Sequence, residues 1–163
     1  MSQRTVINTQ TFTRDGGTLQ AQLPLADLTR LLDMLVDSAG VLSFRLDGKI
    51  GANQQPQLLL QIDGTLSVRC QRCLGGIETP LKINRLFEFM ELEEELTLEE
   101  VEDESKDFLL AQSELDVAAL IEDEILLDLS SVPRHENCAL PHTEPETEKL
   151  SPFSVLKGFK GKA

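Results

Sequence analysis

Cys70 and Cys73, in the run C-Q-R-C, are two thiols separated by two residues. That spacing serves half of a zinc site, a redox-active dithiol, or no chemistry at all. Zinc takes thiolate sulfurs at about 2.3 Å, and the short gap lets two of them reach one ion from a single turn. Two sulfurs are only half a tetrahedron. The other half is offered by P-R-H-E-N-C, where His135 and Cys138 repeat the two-residue gap. The candidate metal ligands are therefore Cys70, Cys73, His135 and Cys138, in halves more than sixty residues apart. An inert reading stands beside this one, because alternation in the preceding residues puts Cys70 on a buried strand face. A free cysteine there behaves as a small apolar side chain. A thioredoxin-like dithiol needs its pair at a helix N-terminus. Arg69 beside the pair and Arg72 within it favour thiolate, but no helical pattern follows.

Other constellations are weaker. Glu124 and Asp128 lie one helical turn apart, which suits either a catalytic carboxylate pair or two carboxylates at a helix rim facing Arg69, Arg72 or Arg85. Both histidines, His135 and His142, fall in a stretch rich in Pro, Thr and Glu that reads as a linker, so neither offers a good general base. No Ser/His/Asp set, phosphate loop or nucleotide fingerprint is present. These residues point away from an enzyme. Scattered cations (Arg45, Lys49, Arg69, Arg72, Lys82 and Arg85) without aromatic platforms argue against an RNA-recognition surface of the stacking kind.

The elements that position these residues are legible as periodicity. Residues 41–50, 58–70 and 77–89 alternate apolar and polar, which predicts strands of an antiparallel sheet buried on one face. C-Q-R-C then falls at the turn between the second and third, with Gly75 and Gly76 permitting a tight backbone. Residues 6–12 and 18–23 read as a hairpin around T-R-D-G-G. Leu25, Leu28, Leu31, Leu32 and Leu35 recur with helical period, so a helix is expected over 24–37, and a second over 116–129. The fold class is α+β: one domain with an antiparallel sheet, open or barrel-like, and two main helices. That domain is expected over 1–132, with an acidic insertion at about 91–108 and a linker and flexible basic tail over 133–163.

Charge follows the same division. Residues 1–90 carry +1, residues 91–148 carry −18, and residues 149–163 carry +4, giving −13 in total. An acidic stretch of this kind suits a basic protein partner as well as plain solvation. In the tail, Phe153, Leu156 and Phe159 recur every third residue beside Lys157 and Lys160, a candidate partner-docking motif. No apolar run approaches the roughly 20 residues needed to cross a bilayer. The first residues carry no apolar signal segment, and three cysteines are not a disulfide framework, so a cytoplasmic protein is expected. No pattern specifies an oligomeric state.

Four motifs, in order, carry a resemblance: V-R-C-Q-R-C-L, E-L-D-V-A-A-L-I-E-D-E-I-L-L-D-L, V-P-R-H-E-N-C and S-P-F-S-V-L-K-G-F-K. Together they resemble the YceD family of large ribosomal RNA subunit accumulation proteins, from about residue 40 to the end. The resemblance implies a small bacterial cytosolic protein supporting the synthesis, processing or stability of 23S ribosomal RNA, without a catalytic activity to carry over. With the resemblance, the partner expected is a ribosomal assembly particle or, on the charge division above, a basic ribosomal protein, with any RNA contact direct or indirect. Relatives often carry cysteines at both cysteine positions, which favours zinc. This chain has one cysteine in the second cluster, so a fourth ligand is either His135 or absent. A zinc-binding RNA-binding module and a thiol redox protein are the alternative readings.

Overall fold

The computed structural model describes residues 5–52, 54–91 and 107–138. In chain order the elements are β1 (Val6–Ile7), α1 (Thr9–Arg14), β2 (Thr18–Pro24), β3 (Val41–Ile50), β4 (Pro56–Arg69), β5 (Gly76–Met90), β6 (Asp107–Leu110), β7 (Leu115–Asp116) and α2 (Val117–Asp128). One sheet runs β2-β3-β4-β5-β6, and β1 pairs with β7 in a small second sheet. The three alternating runs form β3, β4 and β5, pairing antiparallel with Phe44 beside Ile62 and Ile62 beside Ile83. That register puts Leu42, Leu46, Leu58, Leu60, Leu66, Val68 and Phe87 in one core. A slip of one residue would turn that whole set to water.

Two features of the expected sheet need correction. It is mixed, because β6 joins β5 in parallel, with Phe87 beside Asp107. It is also open rather than a barrel, with β2 and β6 as its edges among the described residues.

The expected hairpin is absent as well. Residues 18–23 do form a strand, but it pairs with β3, and β1 pairs with β7. Between them Asn8 caps α1, its side chain accepting from the N–H of Thr11 at 3.0 Å. That cap satisfies one of the free donors at a helix start and overrides the strand preference of the threonines. Gly16, at φ 62°, ends the helix. Phe12 then lies so close to the sheet that a Cβ on Gly48 would stand 2.6 Å from its carbonyl oxygen.

The helix expected over 24–37 is also overturned. The segment forms two 3-10 turns, Leu25–Asp27 and Leu32–Met34, with backbone bonds from Leu28 to Leu25, Leu31 to Leu28 and Met34 to Leu31. Leu25, Leu28, Leu31 and Leu35 are buried as expected, whereas Leu32 is exposed. Spacing by three serves a three-residue turn as well as a 3.6-residue helix. Tertiary partners decide between them. Glu122 of α2 accepts the N–H of Arg30 at 2.6 Å and of Leu31 at 3.3 Å. Leu35 bridges to Val68 on the edge of β4 that β3 leaves free, and the N–H of Val36 reaches Ser67 at 2.8 Å.

The second helix agrees with expectation. Asp116 caps α2 by accepting from Ala118 at 3.0 Å and Ala119 at 3.3 Å, and Val117, Leu120, Ile121 and Ile125 enter the core. Residues 92–106 of the acidic insertion and the tail with Phe153, Leu156, Lys157, Phe159 and Lys160 lie outside the described residues, while Asp107 and Phe108, expected within the insertion, begin β6. No helix among the described residues is long and apolar enough to cross a membrane.

Candidate metal centre

β4 ends at Arg69 and β5 begins at Gly76, so Cys70 to Gly75 form the loop of a long hairpin. The Cys70 N–H donates to Gly75 O at 2.8 Å and the Leu74 N–H to Cys70 O at 3.0 Å, which closes the loop tightly. Leu74 pays for that closure with φ 63°, a conformation that costs a bulky residue roughly 1–2 kcal/mol. Inside the loop, the backbone N–H groups of Arg72 and Cys73 point at Cys70 Sγ, at 3.4 and 3.5 Å.

The chain returns to this loop after α2. The Gln71 N–H donates to Pro133 O at 2.8 Å, drawing residues 133–138 across the hairpin end. His135 Nδ1 then lies 3.3 Å from Cys73 Sγ, and Cys138 Sγ lies 3.8 Å from Cys70 Sγ. The ligand atoms of Cys70, Cys73, His135 and Cys138 all fall within 4.8 Å of one another. Cys70 is fully buried and the other three are half-buried. Residues distant in sequence thus form one cluster, His135 and Cys138 included.

The arrangement fits a tetrahedral metal ion. Four ligands at zinc–sulfur distance stand about 3.8 Å apart along each edge, the spacing of the Cys70 and Cys138 sulfurs. His135 Nε2 is 3.1 Å from Gly76 O. With the proton on Nε2 and donated to that carbonyl, the lone pair of Nδ1 faces the sulfurs, as a metal-binding imidazole requires.

Local electrostatics favour thiolates unevenly. The N–H of Cys73 first, then that of Arg72, hold the Cys70 thiol down at about 5 against its desolvation. The Arg72 guanidinium, 3.1 Å from Cys138 Sγ, lowers that thiol as well. Cys73 goes the other way: the N–H of Gly75 favours its thiolate, but desolvation and the neighbouring Cys70 and Cys138 outweigh it. The thiols, Cys70 first, raise His135. Sulfurs this close compete for negative charge, and a divalent cation among them removes the competition.

The carboxylate pair does not converge. Glu124 is buried and its carboxylate meets Arg85 Nε at 3.1 Å, while Asp128 is exposed. Desolvation raises Glu124 above the usual carboxylate range, with Arg85 opposing it. A hollow between β2, the turn after it and the start of α2 is lined by Pro24, Phe44, Ile121 and Glu122, and by none of the four cluster residues. Among residues the sequence reading missed, Glu122 offered no signal, since a buried glutamate facing a turn has no sequence pattern. The charge of Arg72 is legible in the sequence, but its reach across to the second half depends on the return of the chain.

The model of the YceD family, large ribosomal RNA subunit accumulation protein, matches residues 58–160. The chain belongs to the YceD family. The match takes in β4 from Leu58, the cysteine loop, α2 and both halves of the cluster. No curated protein and no solved structure gives a significant match. Membership implies a role in the accumulation of large-subunit ribosomal RNA.

Proposed function

We propose that this YceD-family protein supports the synthesis, processing or stability of 23S ribosomal RNA in large-subunit assembly, as a cytoplasmic factor that binds rather than catalyses. The family match over residues 58–160 carries the reading. Zinc held by Cys70, Cys73, His135 and Cys138 serves structure: it ties residues 133–138 to the β4–β5 hairpin. A structural zinc site closes its coordination with protein ligands, and the four donors here leave no position for a substrate. The acidic segment (−18 over residues 91–148) engages a basic ribosomal protein or assembly factor. Phe153, Leu156, Lys157, Phe159 and Lys160 dock the tail on the particle.

Sucrose-gradient sedimentation of the tagged protein, with and without ribonuclease, tests this. Co-migration with immature large subunits that collapses on ribonuclease is the expected result. A protein that stays at the top of the gradient acts away from the particle and sinks the proposal. Deleting residues 149–163 should weaken association without unfolding the domain. Unchanged association would remove the tail from the mechanism.

A second reading, a zinc-dependent RNA-binding module, draws on the cluster itself. It predicts RNA affinity that falls steeply with salt and disappears with the metal. The thiol redox reading has less support, because the cysteine loop leads into a strand rather than a helix.

A further inference from the structure

Arg72 stands between the two cysteines of C-Q-R-C and touches sulfur on both halves of the cluster. Its backbone N–H points at Cys70 Sγ at 3.4 Å, and its guanidinium Nε donates to Cys138 Sγ at 3.1 Å. The same guanidinium reaches the carbonyls of His135 and Glu136 through Nη2, at 3.5 and 3.4 Å. One side chain from the hairpin thus grips the backbone and the sulfur of the returning segment.

We propose that Arg72 is the positioning residue and counter-charge of the metal centre, holding Cys138 in place and neutralising the loaded site. The proposal rests on the zinc reading above. Three thiolates and a neutral imidazole around a divalent cation leave a net charge of −1. Cys70 is fully buried, so that charge sits partly out of water. The single positive charge of Arg72, which cannot be lost by deprotonation, brings the sum to zero. Lysine supplies the charge but lacks the planar fork that reaches a sulfur and two carbonyls together. Outer partners of this kind typically set metal affinity by about 10–100-fold.

The test is zinc affinity of the full chain, by competition with a chromophoric chelator, for wild type, Arg72→Gln, Arg72→Lys and Arg134→Gln. Arg134 is exposed, adjoins His135 and has no side-chain ion-pair or hydrogen-bond partner among the described residues, so its substitution removes equal charge without the contact. R72Q should weaken zinc binding by about 10–100-fold, with R72K recovering part of the loss and R134Q leaving affinity unchanged. Cobalt loaded to saturation should give the same thiolate charge-transfer spectrum in R72Q as in wild type, since the ligands are intact. Equal affinity for R72Q and wild type overturns the role of Arg72 while leaving the zinc site standing. So does an equal loss in R134Q, which would reduce the effect to bulk charge. If R72Q folds poorly, R72K carries the decision: affinity equal to wild type shows that charge alone suffices and overturns the positioning role. Wild-type protein that takes up no zinc or cobalt in stoichiometric amount overturns the zinc reading and this inference with it.

Discussion

Glu122 offers a sharp test of why residues 24–37 are not a helix. Its side chain is 8% exposed and takes three donors: Arg30 N at 2.6 Å, Arg30 Nε at 2.8 Å and Leu31 N at 3.3 Å. Leu31 N also reaches Leu28 O at 3.1 Å, so it keeps a partner when Glu122 is removed. Arg30 N does not. Glu122→Ala therefore orphans one backbone donor, at about 1–3 kcal/mol. The ion pair adds only about 0.5–1 kcal/mol, because the Arg30 side chain is 47% exposed and keeps Asp123 at 2.6 Å. The expected total is about 1.5–4 kcal/mol. Glu122→Gln retains an oxygen for Arg30 N and should cost about 1 kcal/mol. The chain has no Trp or Tyr, so urea unfolding is best followed by circular dichroism at saturating zinc. The midpoint should move while the slope stays constant. If E122A costs no more than E122Q, the acceptor is not what holds this segment, and the account of the 3-10 turns is wrong.

Three further outcomes are expected. Gly48→Ala should destabilise the domain by about 1–3 kcal/mol in the same assay, because its Cβ would stand 2.6 Å from Phe12 O and 3.0 Å from Phe12 C, and backbone cannot step aside as a side-chain tip can. Chelation of zinc should speed tryptic cleavage after the exposed Arg134, with little effect on sites in the sheet. Equal digestion rates with and without metal would count against the staple. Glu124, with its folded pKa raised above the usual value near 4.5, contributes stability that is fully present below that value and is lost as pH rises through the folded pKa. Glu124→Gln should therefore match or exceed wild-type stability at pH 7, with any gain vanishing below about pH 4.5. A loss at pH 7 would mean that the pair with Arg85 outweighs the desolvation.

Some of this protein is fixed by local pattern. Alternation along residues 41–50, 58–70 and 77–89 determined β3, β4, β5 and their buried face, because a strand turns every second residue to the same side and only one register buries Leu42, Leu46, Leu58, Leu60, Leu66 and Leu81 together. That pattern also placed Cys70 inside and C-Q-R-C at a hairpin end. The stripe Val117, Leu120, Ile121 and Ile125 likewise determined α2. The resemblance to the YceD family, too, was carried by four short motifs.

The tertiary structure decided what local pattern left open. Leucines spaced by three fit two kinds of turn, and a glutamate more than ninety residues away chose between them. A parallel partner for β5 has no signature in the residues of β5, since strand order depends on how the chain returns. The same holds for the cluster. Composition and spacing nominated Cys70, Cys73, His135 and Cys138, but no property of either half says that they meet. Their meeting rests on a backbone bond from Gln71 to Pro133 and on the reach of Arg72, contacts that exist only once α2 has packed and the chain has turned back across the hairpin.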